Sequence, residues 1–355
     1  MYPNFEFALE QLTGADVPGF LSIFQVFGLF VAFAFLAAAW ALTSELKRKE
    51  QLGLLQPILG NEKDKKTGET KQVWIYPHQR VSEIVIICAV AGLAGAKIFN
   101  ALETWNDFIQ DPIGNLFSRS GLTFYGGLIC ATLVLVYYAR KYKIGFKHLC
   151  DAAAPALILG YGVGRLGCHF SGDGDWGIFN SAYITYPDGS LHLAAAGQYE
   201  QMLNMAKGYF ANNFPGTVPH IYAPAPSWLP DWLYAMNYAH NVNSEGVAIT
   251  NCMGNFCAVL PVGVFPTPLY EAVVCIGIFG FLWAIRRKIT VPWQMFGIYL
   301  IFNGTERFLV EKIRVNTKYD LGFIHPTQAE IISTLLILAG ILLVISNRKK
   351  TVTTT

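Results

Sequence analysis

Charge is what this sequence has least of. Asp, Glu, Lys and Arg make up 14% of its 355 residues, against about 25% in an ordinary soluble domain. With 53% hydrophobic residues, this excludes a disordered or collagen-like chain. A net charge of +2 excludes the basic footprint of a nucleic-acid-binding domain, so no nucleic-acid partner is expected. The nineteen residues before Phe20 contain no Lys or Arg. That is the wrong start for a cleavable signal peptide, and the first apolar run reads as a retained span. No His pair stands at ligand spacing near Cys252 and Cys257, which argues against zinc. No metal or cofactor is expected. There is no internal repeat, and no low-complexity tail beyond Thr351–Thr355.

What is present is a set of long apolar runs. Seven are roughly 18–23 residues, about what a helix needs to cross ~30 Å of hydrocarbon. They are Phe20–Leu42, Glu83–Leu102, Leu122–Ala139, Ala152–Phe170, Phe265–Ile285, Pro292–Val310 and Gln328–Ser346. The spans at Glu83 and Ala152 are rich in Ala and Gly, which suits close helix–helix contact in a bilayer. Basic residues set the orientation, because Lys and Arg accumulate in cytoplasmic loops. Eighteen of the 26 Lys and Arg fall in alternate connections, after spans one, three, five and seven. Odd-numbered spans therefore run inward, with the N-terminus outside and the C-terminus in the cytoplasm.

Two connections stand out. The inner one, residues 43–82, carries the charged run Asn61–Gly68 between apolar flanks and reads as a solvated loop or a hairpin with a charged tip. The outer one, residues 171–264, is rich in Gly, Pro, Asn and Tyr. Ala194–Gly208 and Trp228–Ala239 are its helix expectations, and it is expected to form a small cap. The division is thus 1–170 with four spans, 171–264 as cap, and 265–355 with three spans and a tail. Cys88, Cys130, Cys150 and Cys275 lie in or beside spans as packing residues. Cys252 and Cys257 lie in the outer segment, where an oxidising compartment permits a disulfide.

An ionisable group inside a span costs roughly 2.5–3.5 kcal/mol on insertion scales, so each one is a functional candidate. They cluster at three places. The end of span four holds Gly164, Arg165, Gly167, Cys168, His169, Ser171, Asp173 and Asp175. A guanidinium there suits a phosphodiester headgroup; the alternatives are snorkelling to the headgroups or an ion pair with an acidic neighbour. Span six holds Asn303, Glu306, Arg307, Glu311 and Arg314. The spacing predicts Arg307, Glu311 and Arg314 on one helix face; the alternative is one intrahelical salt bridge plus an interfacial Arg314. Asn303-Gly-Thr matches a glycosylation sequon but lies inside a span. The start of span three holds Tyr125, Gly126 and Gly127, the glycines suiting tight packing and the phenol a cavity or the interface. By topology all three places lie outside, at the depth of the outer headgroups. They point to an anionic lipid or lipid-linked phosphate as ligand.

These motifs resemble prolipoprotein diacylglyceryl transferase, a bacterial inner-membrane family of lipoprotein maturation. Its Gly-Arg-Leu/Ile-Gly-Asn-Phe-x-Asn-Gly-Glu-x-Trp-Gly signature is similar to Gly164-Arg-Leu-Gly167 and Trp176-Gly177. Its Phe-His-Gly-Gly-Leu-Ile-Gly resembles Phe124–Ile129. Its His-Pro-Ser-Gln-Leu-Tyr-Glu resembles the stretch from Phe265 through Tyr270 to Glu271. Its Phe-Arg-x-x-Val-Glu-x-x-Arg resembles Glu306 to Arg314. A late Gly-Gln-Ile-Leu-Ser element resembles Thr327–Ser333. The motifs fall in family order over the whole membrane bundle.

The resemblance implies transfer of diacylglyceryl from phosphatidylglycerol to the thiol of a prolipoprotein lipobox cysteine, with loss of glycerol phosphate. It implies an all-α polytopic inner-membrane protein with seven transmembrane helices, a periplasmic N-terminus and a small periplasmic cap. Arg165 and Arg307 carry over as the essential arginines, with Glu311 and Arg314 as polar neighbours. Several positions depart from the family pattern. The span-three His is Tyr125, the Asn after Arg-x-Gly is Cys168, the second Asn aligns with Ser171, and the Glu is Asp173 or Asp175. The His before span five is Phe265, and the Tyr-Gly of span one resembles Phe27-Gly28. A thiol needs a base to become a thiolate, and His169 and Asp173 are the candidates. Tyr125 joins them as a catalytic candidate. Gly126, Gly127, Gly164, Gly167, Cys168, Ser171, Tyr270, Glu271, Asn303 and Arg314 are candidates for substrate binding. The alternative is an inactive relative that binds phospholipid or lipoprotein as a scaffold. A transporter fits less well, since no inverted repeat or interrupted helix pair is apparent.

Overall fold

The structure is a computed structural model that describes residues 1–63, 70–118, 121, 123–214, 216–252, 254–316, 319 and 325–352. Its helices are α1 (Phe5–Thr13), α2 (Val26–Gln51), α3 (Val81–Glu103), α4 (Trp105–Gln110), α5 (Pro112–Phe117), α6 (Phe124–Lys141), α7 (Phe146–Ser171), α8 (Gln198–Met205), α9 (Lys207–Asn213), α10 (Thr267–Ile285), α11 (Gln294–Glu311) and α12 (Gln328–Val352). Among the described residues four stretches are long and apolar enough to cross a membrane: Val26–Gln51, Pro77–Glu103, Thr267–Ile285 and Gln328–Asn347. The other three expected spans also coincide with helices, α6, α7 and α11. Charge is what sets two of these apart: α7 carries Asp151 and Arg165, and α11 carries Glu306, Arg307 and Glu311.

The chain forms two compact units. One comprises Ala38–Ala156 and Ile289–Phe296. In it α3 packs on α6 through glycine. A Cβ on Gly95 would lie 2.5 Å from the Gly126 carbonyl oxygen, and one on Gly126 2.6 Å from that of Gly95. Gly92 and Gly127 meet in the same way. Small residues let two backbones approach this closely where lipid offers no hydrophobic drive between helices. Strands β1 (Ile58–Lys63) and β2 (Thr70–Ile75) pair antiparallel from Ile58↔Ile75 to Lys63↔Thr70, which gives the hairpin alternative. Its charged tip at 64–69 lies outside the described residues. Buried Asp151 accepts from the Trp293 and Phe296 amides at 2.8 and 2.9 Å.

The other unit comprises Met1–Ala37, Leu157–Lys288 and Gly297–Thr353. Here α11 and α12 pack through Gly297, Gly304 and Gly340. A Cβ on Gly304 would lie 2.7 Å from the Ser333 carbonyl, and one on Gly340 2.5 Å from that of Gly297. Thr327 and Glu330 form a reciprocal cap at the start of α12.

Residues 171–264 correct the all-α expectation in detail, although the chain is mostly helical. They fold around a sheet in which β3 (Phe179–Thr185) pairs antiparallel with β4 (Leu191–Leu193) and β8 (Val262–Val264), and parallel with β5 (His220–Ile221). Strands β6 (Val247–Ala248) and β7 (Ala258–Val259) form a separate pair. The core holds Phe179, Tyr199, Met202, Phe210, Tyr238, Leu260, Val262 and Val264. The expected helix at Ala194–Gly208 is instead α8 and α9, broken at Ala206. That expected at Trp228–Ala239 is a single 3-10 turn, Asp231–Leu233. Pro226 and Pro230 supply no N–H for a helix, and Asn180 and Tyr183 bond the surrounding backbone instead. Cys252 and Cys257 are disulfide-bonded. The N-terminal segment docks on the same region, with Phe7 5.1 Å from the His240 ring.

The glycine contacts generate a paired test. Gly95→Ala must push α3 from α6 and should cost about 1–3 kcal/mol, the usual range for overpacking. Gly277→Ala, which meets nothing within 4 Å, should be neutral or stabilise by up to about 1 kcal/mol through helix propensity. Thermal unfolding of both variants in detergent reads the difference.

Candidate functional site

Three arginines, Arg165 from one motif and Arg307 and Arg314 from another, meet at one carboxylate. Glu271 lies in the second turn of α10 and is fully buried. Arg165 of α7 places Nε 2.5 Å from Glu271 Oε2. Arg314 places Nη1 3.2 Å from Glu271 Oε1. Arg307 of α11 places Nη1 3.7 Å from the same oxygen. Tyr161, one helical turn before Arg165, donates to Glu271 Oε2 at 2.6 Å. Glu271 thus serves three cations and a phenol from inside the protein.

Asp175 is the second clamp. Its two oxygens pair with Arg165 Nη1 and with Arg314 Nη2, the latter at 2.5 Å. Burial raises the carboxyl, but the two guanidiniums outweigh it and hold Asp175 below the usual carboxylate range. Its backbone is fixed in turn, since Thr267 Oγ1 donates to the Asp175 carbonyl at 2.9 Å. Next along the chain, Gly177 and Ile178 bond to the Phe265 and Ile313 carbonyls. A Cβ at Gly177 would lie 2.7 Å from the Ile313 oxygen. Only glycine permits that approach, and through it residues 173–178 are laid against the end of α11.

That contact corrects the expected helix face. α11 ends at Glu311, so Arg314 is not on it; the chain turns out at 312–314 and bonds Ile178. Arg307 and Glu311 do pair at i,i+4, with Nη2 to Oε2 at 3.0 Å. Asn316 Nδ2 donates to Glu311 Oε1 at 2.7 Å.

The arginines differ in how fully they are used. Arg165 and Arg314 are each shared between Glu271 and Asp175. Arg307 Nη1 is buried and makes no hydrogen bond. Beside it, both carboxyl oxygens of Glu306 are buried without a hydrogen-bond partner. Three guanidiniums are matched by Asp175, Glu271 and Glu311, which leaves Glu306 as a carboxyl in excess.

Cys168, Asp173 and Asp175 bring a sulfur and carboxylate oxygens within 4.8 Å of one another. The two guanidiniums on Asp175 oppose a cation there. Burial raises the Asp173 carboxyl above its ordinary range, although the nearby Cys168 thiol favours the ionised form. His169 points elsewhere, its Nδ1 3.3 Å from the Tyr238 hydroxyl. Ser171 is fully buried and donates back to the Gly167 carbonyl at 2.8 Å. Gly167 is a packing site, where a Cβ would lie 2.8 Å from Phe30 Cβ. Gly164 faces open space. Tyr270 donates to the Leu233 carbonyl. Asn303 sits one turn before Arg307 on α11. Tyr125, Gly126 and Gly127 belong to the other unit, the glycines at the α3–α6 contact and Tyr125 beside the Phe124 ring.

Two members of the cluster escape a reading of spans alone. Tyr161 was signalled only by its i−4 spacing to Arg165. The hub role of Glu271 was signalled only by charge balance, since three arginines in apolar helices require buried anions.

A sequence model described as prolipoprotein diacylglyceryl transferase matches residues 18–346. The chain is 25% identical over 318 residues to a phosphatidylglycerol–prolipoprotein diacylglyceryl transferase of Leptospira interrogans, covering 82% of this chain and 72% of that protein. It is 27% identical over 275 residues to the protein of that name from Chlorobaculum tepidum, covering 74% and 71%. To that of Stenotrophomonas maltophilia it is 27% identical over 265 residues, covering 73% and 72%.

The cluster predicts unequal carboxylates. Glu271→Ala leaves three guanidiniums facing only Asp175 and Glu311 and should destabilise by about 3–5 kcal/mol, the cost of breaking a buried pair. Glu306→Gln removes no hydrogen bond and no required charge and should stay within about 1 kcal/mol of the parent. Chemical denaturation in detergent compares them.

Proposed function

We propose that this chain, which belongs to the prolipoprotein diacylglyceryl transferase family, transfers the diacylglyceryl group of phosphatidylglycerol to the lipobox cysteine thiol of a prolipoprotein, releasing glycerol phosphate. The family consists of integral membrane enzymes. The observation that carries the reading is the buried Nη1 of Arg307, ion-paired to Glu271 at 3.7 Å but making no hydrogen bond, beside two clamped arginines. A buried donor without an acceptor costs about 1–3 kcal/mol, and a phosphodiester oxygen supplies the acceptor.

In this reading Arg307 binds the lipid phosphate, and Arg165 and Arg314 surround it with positive charge. The acceptor sulfur attacks the glycerol carbon that bears the phosphate ester. A C–S bond forms as the C–O bond breaks, and glycerol phosphate leaves with the bonding pair. Negative charge grows on that oxygen, and the pre-positioned guanidiniums stabilise it there. The thiol proton goes to Asp173, the carboxylate next to the arginine cluster, which passes it to solvent. Glu271 and Asp175 act as positioning residues by holding Arg165 and Arg314. Glu311 does the same for Arg307. In this reading His169 supports the cap through Tyr238.

The setting we infer is the bacterial inner membrane, crossed by seven helices with a periplasmic N-terminus and a cytoplasmic C-terminus. Residues 1–170 supply four spans, 171–264 a periplasmic cap, and 265–355 the remaining three spans. The basic connections support that orientation.

Arg307→Ala and Arg165→Ala should each abolish thioether formation on a lipobox peptide with phosphatidylglycerol vesicles. Arg307→Lys should lose most of it, since an ammonium cannot present the planar fork. A parental rate in either alanine variant would remove the arginines from the reaction. The role of Asp173 has its own signature in pH. A base works deprotonated, so activity should fall as pH drops through the raised Asp173 range, above the ordinary value of about 3.9. In Asp173→Asn the residual rate should lose that acid limb; a limb that persists there belongs to another group.

A further inference from the structure

The stretch Ile221–Tyr234 takes no part in the charged site, yet it is unusual for a segment outside the spans. It reads Ile-Tyr-Ala-Pro-Ala-Pro-Ser-Trp-Leu-Pro-Asp-Trp-Leu-Tyr, with no Lys, Arg or Glu. Its one charge, Asp231, accepts from the Tyr183 hydroxyl at 2.7 Å. The stretch is pinned from behind. Fully buried Asn180 donates to the carbonyls of Ala223 and Tyr234 at 2.8 and 3.1 Å and accepts from the Ala223 amide. Tyr183 accepts from the Ala225 amide at 2.9 Å. With its backbone held to β3, the stretch turns three large aromatics outward: Tyr222 is 68% exposed, Trp228 78% and Trp232 51%.

Its height relative to the helices is also set. Tyr270, in the first turn of α10, donates to the Leu233 carbonyl. Met236 and Val264 pair just before α10 begins. Leu233, and with it the neighbouring Trp232, is therefore held at the start of a helix apolar enough to span a membrane. That helix presents Val273 and Val274, both exposed, just below. An exposed uncharged aromatic group continuous with a lipid-facing helix start belongs in the headgroup–acyl boundary, where Trp and Tyr partition.

We propose that Tyr222, Trp228 and Trp232 insert into the outer-leaflet interface and anchor residues 171–264 to the bilayer beside α10. Because the stretch carries no basic residue, the anchor holds zwitterionic and anionic phospholipid alike and is insensitive to salt. The proposal rests on α10 being a span and on the periplasmic side inferred above for residues 171–264, and is independent of which reaction the arginine cluster performs.

The test uses the full chain in lipid nanodiscs and the tryptophan emission lost in Trp228→Phe/Trp232→Phe. That difference emission should be quenched by nitroxide on the lipid headgroup or upper acyl chain, in phosphatidylcholine with or without phosphatidylglycerol. It should resist aqueous iodide. Quenching by iodide but by no lipid nitroxide overturns the proposal, as the residues then face water. Shielding from both overturns it too, as protein then covers them. Quenching only by a lower-chain nitroxide also overturns it. Phe281→Trp in the double-variant background reports on α10 itself. If its emission escapes lower-chain nitroxide, the span assignment has failed rather than the anchor.

Discussion

The structure around the candidate site depends on one buried carboxylate holding three guanidiniums in an apolar setting. Each arginine is costly to desolvate, and none could sit in or beside a span without an anion that is itself out of water. Glu271 meets that demand from the second turn of α10. Its own burial would be prohibitive without the cations and the Tyr161 hydroxyl around it. Partners and hub are therefore mutually required, and the local fold follows from bringing them together. Gly177 lets residues 173–178 lie against the end of α11, Asp175 is thereby presented to Arg165 and Arg314, and Thr267 locks its backbone.

A neutral cluster of this kind could be a stability device alone. What distinguishes it is the unevenness of its pairing. Two arginines are clamped between two carboxylates, whereas the third keeps a buried donor without an acceptor, next to a carboxyl that bonds nothing. A cluster optimised for stability would close both gaps. A cluster built to admit an anion keeps one donor open and holds the neighbouring cations in place beforehand, so that little reorganisation accompanies charge development.

The region between α7 and α10 supplies the scaffold for this arrangement. Its sheet buries Asn180 and Tyr183, whose side chains organise the aromatic stretch at 221–234. The same region delivers Asp173 and Asp175 to the arginines. One small folded segment thus faces two ways, toward the charged cluster through its first residues and outward through its tryptophans.

Periodicity and composition by themselves determined that the chain is largely apolar helix, because a run of some twenty uncharged residues has few other structures open to it. Ionisable residues within or at the end of such runs, Arg165, Arg307 and Glu311 among them, were legible as candidates for the same reason: each is costly and so conspicuous. The i,i+4 pairing of Arg307 with Glu311 was legible too, since helix geometry is local. Only the tertiary structure decided that Arg314 leaves the helix, that Glu271 rather than Glu311 is the hub, that Tyr161 completes it, and that His169 turns to Tyr238. Those choices depend on contacts between residues far apart in the chain, such as Gly177 with Ile313. The β-sheet in residues 171–264 was hidden likewise, because its strands are short and its pairings non-local. Local spacing says which side chains need partners; which partners they find is settled only when the chain is folded.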